Sequence, residues 1–116
     1  MSRRDDERLA DILASVEAIR AHLARGDLGD GLVFDAVRVR LIEIGEAVKD
    51  IAPALLAAEP AIPWQDVARM RDHLAHRYFD TVHATVRATV EEDLPPLAAA
   101  AERLLDQLES DAGSTG

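Results

Sequence analysis

The chain has 116 residues, 22 acidic against 13 basic side chains for a formal net charge of −9, no cysteine and four aromatic residues. That length fits one domain with a core of its own. The missing cysteines exclude disulfides, a thiolate nucleophile and Cys-ligated metal sites, and the acidity argues against a broad phosphate-binding coat. No apolar run approaches the roughly 20 residues that span a bilayer. The opening residues lead into an amphipathic segment rather than the apolar block of a signal peptide, so a cytoplasmic protein is expected.

Apolar spacings of three and four recur, and strict alternation hardly appears. The expectation is therefore all-α: an up-and-down bundle of four to five helices over residues 1–109, followed by a disordered tail over 110–116 that has nothing to bury. A first helix is predicted from about Arg3 to Ala24, with Leu9, Ile12, Leu13, Val16, Ile19 and Leu23 as its stripe and Ser2 with Asp5 as a variant capping box. Gly26, Gly29 and Gly31 mark a helix–helix connection, since the residues of a nucleotide-binding loop are missing around them.

A second helix should start near Asp30 to Leu32 and reach about Ile51. Val37, Leu41, Ile44, Val48 and Ile51 form one stripe, while Val39 and Ile42 fall on another side. Two apolar faces suggest one packed within the chain and one packed against a second copy. Pro53 ends this helix, and residues 54–59 add a turn. Pro63 opens a third helix running to about Phe79. Asp80 caps a fourth with Val82, Val86 and Val90, and Glu91, Glu92 and Asp93 form its solvated end. Pro95 and Pro96 begin a last helix to about Glu109, with Leu97, Ala101, Leu104, Leu105 and Leu108 inward.

The third predicted helix carries the chemistry. On a wheel at about 100° per residue, Trp64, Val67, Ala68, Leu74, Ala75 and Tyr78 share a face with Arg71 in their midst. A guanidinium there is costly unless paired or bound to an anion. It is either a structural arginine paired with Glu43 or Glu46, or a functional cation. His76 follows, flanked by Asp72 and Asp80 four residues either side. Arginine matches phosphate oxygens and histidine moves protons near neutral pH, which fits cleavage of an RNA phosphodiester by the neighbouring 2′-hydroxyl. His76 would be the acid or base, and Arg71 would steady the transition state. No metal and no cofactor is required. His73 and His76 are one turn apart, yet no further His or Cys cluster completes a metal site; His22, His73 and His83 read as structural.

The run Ile62-Pro63-Trp64-Gln65-Asp66-Val67-Ala68-Arg69-Met70-Arg71-Asp72-His73-Leu74-Ala75-His76-Arg77-Tyr78, together with Ile44-Gly45-Glu46-Ala47 upstream, resembles the signature of the HepT-like toxins of the HEPN superfamily. The resemblance covers roughly Arg8 to Leu108. It implies a helical homodimer acting as a metal-independent ribonuclease, with Arg71 and His76 as the catalytic pair in a cleft at the dimer interface. Asp72 stands where the family often has Asn, and Asp72 and Glu46 would support the pair. The implied partner is a minimal nucleotidyltransferase antitoxin, which moves AMP from ATP to the motif tyrosine, here Tyr78; ATP is thus used only by that partner. A non-catalytic module that docks such a partner, or nucleotides, is the other reading. From Trp64 to Asp80 three arginines balance three aspartates, so the chain's acidity leaves room for a narrow RNA site.

Overall fold

The computed structural model describes residues 3–75 and 79–114. Among these, every regular element is helical: α1 (Arg3–Arg25), α2 (Gly31–Lys49), the short α3 (Pro53–Leu56), α4 (Trp64–Ala75), α5 (Phe79–Ala88) and α6 (Leu94–Ser114), with one π-helical turn at Thr89–Asp93. The all-α architecture is the one the periodicity predicts.

In α1, Leu9, Ile12, Val16 and Ile19 are almost wholly removed from solvent, as their spacing on one face requires. They meet Val37, Leu41 and Ile44 of α2 on one side and Leu97, Ala101 and Leu104 of α6 on the other. The expected cap rests on Ser2, which lies outside the described residues, while Asp5 has a described partner elsewhere. Its carboxylate is buried and accepts the Ala52 backbone N–H at 3.2 Å, tying the start of α1 to the start of α3. A lone donor at Ala52 would otherwise lack a partner as Pro53 opens the next helix.

Between α1 and α2 the chain turns on side-chain acceptors. Asp27 takes the Gly29 N–H at 2.8 Å. Asp30 is the N-cap of α2, in extended conformation, and accepts from Leu32 N and Val33 N, two of the donors that a helix start leaves open. Leu28 is buried, and its carbonyl receives the Nε2–H of His83 at 2.9 Å. The His83 ring stacks on Phe34 with centroids 5.0 Å apart. His83 is thus structural, as its lone position in the sequence suggested.

Two boundaries differ from expectation. Pro63 sits just before α4 rather than within it, its carbonyl receiving the first helical bonds from Asp66 N and Val67 N. Asp80 falls inside α5 rather than before it. A third difference is larger. The last two long helices form one continuous helical run, joined by the π turn in which Leu94 N–H bonds to the Thr89 carbonyl. Pro95 and Pro96 explain the widening, since neither can donate to the carbonyl four residues back and their rings crowd that turn. The acidic residues 91–93 are exposed, as predicted. Helix α6 continues past Glu109 to Ser114, where the absence of apolar side chains had predicted disorder. Extension of an existing helix is far easier than nucleation.

Candidate functional site

Helix α4 is placed by one close approach. Gly45 of α2 faces the α4 backbone so tightly that a β-carbon there would lie 3.0 Å from the Val67 carbonyl and 3.2 Å from Arg71 N. Only glycine lets the helices cross at this distance. The next residue, Glu46, thereby reaches Arg71, and its carboxylate lies 2.6 Å from the Arg71 Nε. Asp72 adds a second contact to the Arg71 Nη1 at 3.0 Å. Of the two glutamates considered for this role, Glu46 takes it. Glu43 pairs with Arg40 on its own helix at 2.8 Å.

The surroundings of Arg71 correct the wheel. The inward face of α4 is centred on Met70 and Leu74, which are buried, with Trp64, Val67, Ala68 and His73 half-buried around them; Ala75 is exposed. Arg71 stands at the margin of that face, its side chain 47 % exposed. The mid-stripe position that would have made it costly is not realised, because α2 covers α4 from the Gly45 side only. Glu46 and Asp72 are half open to solvent as well, and ion pairs so exposed contribute about 0–1 kcal/mol.

His76 and Tyr78 lie outside the described residues, so of the five residues singled out the structure brings together Arg71, Asp72 and Glu46. Among the described residues, no three His, Asp or Glu side chains are grouped to hold a metal ion.

On the far side of α4 lies a cleft of about 620 Å³ that runs against α5, the π turn and α6. It is floored by Met70, Val67 and Leu97, and His73 spans it to reach the Thr85 hydroxyl at 3.3 Å. His73 thus bridges two helices on the face away from Arg71. The connection into α4 is fixed by Trp64, whose indole N–H donates to the Glu59 carbonyl at 3.0 Å. Glu59 in turn is gripped by Arg103 of α6 through two nitrogens, the shortest contact 2.7 Å. Those hydrogen bonds hold the Glu59 carboxyl below its ordinary pKa against the opposing effect of partial burial, and raise that of Arg103.

One residue near the motif escaped the sequence reading. Arg38 of α2 donates from Nη1 to the Leu74 carbonyl at 3.1 Å, a side-chain tie from α2 to α4 across their crossing. Its register with Gly45, seven residues later and so on nearly the same face of α2, was the signal available.

A family model for ribonuclease HepT-like proteins matches residues 9–104. The chain belongs to the ribonuclease HepT-like family. It is 35% identical over 108 residues to the "Probable ribonuclease HepT" of Thermococcus cleftensis, covering 90% of this chain and 98% of that one. It is 32% identical over 114 residues to the "Putative RNase MJ0125" of Methanocaldococcus jannaschii, covering 94% and 98%. No solved structure gives a significant match. The matched span of the HepT-like family includes both sides of the α2–α4 crossing, with Gly45, Glu46 and Arg71 inside it. No helix among the described residues is long and apolar enough to cross a membrane.

Proposed function

We propose that this HepT-like chain is the toxin of a toxin–antitoxin pair, a metal-independent endoribonuclease acting on RNA in the cytoplasm. Arg71 and His76 are its catalytic pair. The observation that carries the reading is the position of Arg71: exposed at the edge of α4, yet held in one orientation by Glu46 from the neighbouring helix. A pre-oriented, solvent-facing guanidinium is what stabilisation of charge on a phosphorane-like transition state needs. In the reaction the ribose 2′-oxygen bonds to phosphorus as the 5′-oxygen leaves. His76 takes the proton from the first or supplies one to the second.

The site is completed in a homodimer, with the two copies of the pair meeting in one groove. Leu32 and Val39, large apolar residues of α2 that stay 83% and 49% exposed, support such an interface. A nucleotidyltransferase partner transfers AMP from ATP to the Tyr78 oxygen, releasing pyrophosphate. The added phosphate competes for Arg71 and silences the toxin.

The test is RNA cleavage by the purified chain in the presence of a chelator. Arg71→Ala and His76→Ala are each expected to reduce the rate by about 10²–10³-fold, as removal of one transition-state contact does. Cleavage by both variants at the parent's rate overturns the assignment. Sedimentation checks the dimer. Mass analysis after co-expression with the partner checks AMP on Tyr78, which Tyr78→Phe should abolish.

A second reading has one observation behind it. Arg71 already carries two carboxylate partners, which suits a non-catalytic module that docks the nucleotidyltransferase or nucleotides. A parent chain inert toward RNA that still forms a stable complex with that partner decides for it.

A further inference from the structure

Most arginines of this acidic chain have a carboxylate at hand. Arg4, Arg8, Arg20, Arg40, Arg69 and Arg103 each pair with an Asp or Glu, and Arg71 has two such partners. Arg38 has none among the described residues. It is half-buried in the α2–α4 crossing, where its described hydrogen bond goes to the neutral Leu74 carbonyl. Arg25, also without a carboxylate, is exposed at the end of α1, where water compensates it. A half-buried guanidinium without a counter-ion is the costly case, and here it stands among 22 acidic residues that could have supplied one.

Its place adds meaning to its isolation. The Leu74 carbonyl is three residues after Arg71, about 4.5 Å further along the axis of α4, and two residues before His76 in the sequence. A guanidinium has five N–H donors, and Leu74 uses one of them. We infer that Arg38 is an RNA-binding residue of this site, the cation that takes a backbone phosphate of the bound strand other than the scissile one. No carboxylate among the described residues pairs with Arg38, and a phosphate of the substrate supplies the counter-charge. Arg71, already paired, is reserved for charge that develops during reaction, while Arg38 supplies ground-state affinity. This inference rests on the ribonuclease reading for the identity of the strand.

The experiment measures binding of the full-length chain to a fluorescent single-stranded oligonucleotide whose 2′-hydroxyls are methylated, so that no cleavage intervenes. Affinity is followed across salt concentration for the parent, Arg38→Gln and Arg38→Lys. Each phosphate contact to a single strand contributes about 0.7 to the slope of log affinity against log salt. Arg38→Gln should therefore flatten the slope by about 0.7 and weaken binding several-fold at low salt. Arg38→Lys, which keeps the charge and a donor for Leu74, should retain the parent's slope. Thermal unfolding of each variant separates lost binding from lost fold. If Arg38→Gln does not fold, phenylglyoxal modification of the parent replaces it: RNA should shield Arg38 from the reagent.

An unchanged slope in Arg38→Gln, an equal loss in Arg38→Lys, labelling of Arg38 undiminished by RNA, or no salt-dependent binding at all overturns the inference. Cleavage of unmodified RNA is scored separately. A parent that binds with the expected slopes but never cleaves removes the catalytic reading and leaves Arg38 as a phosphate contact. A parent that cleaves, with Arg38→Gln matching it in slope, removes Arg38 and leaves the catalysis.

Discussion

The α1–α2–α6 side of the molecule and helix α4 are built on different principles. The first is a dry interface in which Leu9, Ile12, Ile19, Leu41, Ile44 and Leu104 are at most 1% exposed. Helix α4 buries Met70 and Leu74, crosses α2 at Gly45, and borders an open cleft on its other side. Trp64, Val67 and Ala68 pack only partly against the core, and polar ties add to them: Arg71 to Glu46, Arg38 to Leu74, His73 to Thr85, and the Trp64 indole to Glu59. Apolar packing resists deformation and sets stability. A helix held partly by directional contacts at half-buried positions keeps its side chains oriented while leaving Arg71 open to solvent.

Substitutions should separate the two. Truncation on the packed side has the largest effect: Ile12→Ala or Leu41→Ala is expected to cost about 2–5 kcal/mol in urea unfolding, from lost burial and the cavity left behind. Gly45→Val comes next. Its added atoms meet the α4 backbone rather than a flexible side chain, so α4 must shift, at a cost of about 1–3 kcal/mol. A Gly45→Val protein as stable as the parent would show that the crossing is looser than its geometry.

Glu46→Gln should change stability by less than about 1 kcal/mol, because the pair is exposed. The same substitution should still lower RNA cleavage by freeing Arg71 to rotate. A large loss of stability would place Glu46 with the scaffold instead.

The smallest effect is expected at Glu59 and Arg103. Arg103 holds the Glu59 carboxyl below its ordinary value, so the folded protein favours the ionised form. That contribution is fully present above the ordinary carboxylate range and is lost as pH falls through the lowered value. Melting temperature followed through the acid range should therefore fall less steeply for Glu59→Gln than for the parent, with the parent slightly the more stable at neutral pH and the two converging in acid. Parallel curves would remove the pair from the acid response.

The contrast also decides what could be read in advance. The stripe from Leu9 to Ile19 and the start of α2 near Asp30 depend on residues within one helix, so they were legible in the residues. Glu46 as the partner of Arg71 was one of two candidates, and the helix crossing chose between them. What resisted reading involves distant segments. The His83 ring on Phe34, the Asp5 carboxylate at Ala52 and the Arg38 head at Leu74 each join residues separated by a turn or more of chain. The wheel placed Arg71 inside an apolar stripe because it assumed cover on that whole face, and α2 covers only part of it. The π turn was signalled by Pro95 and Pro96, which were read as a helix start when they also distort the helix entering them.

The indole of Trp64 has a practical consequence. It is the sole tryptophan in the chain, half-buried at the head of α4 with its N–H on the Glu59 carbonyl. Its emission maximum and quenching by added iodide or acrylamide therefore report on the seating of α4 without any label. A red shift that precedes loss of overall helical circular dichroism during denaturation would record α4 lifting away while the remaining helices hold. The protein carries its own optical gauge at the helix where its chemistry is argued to reside.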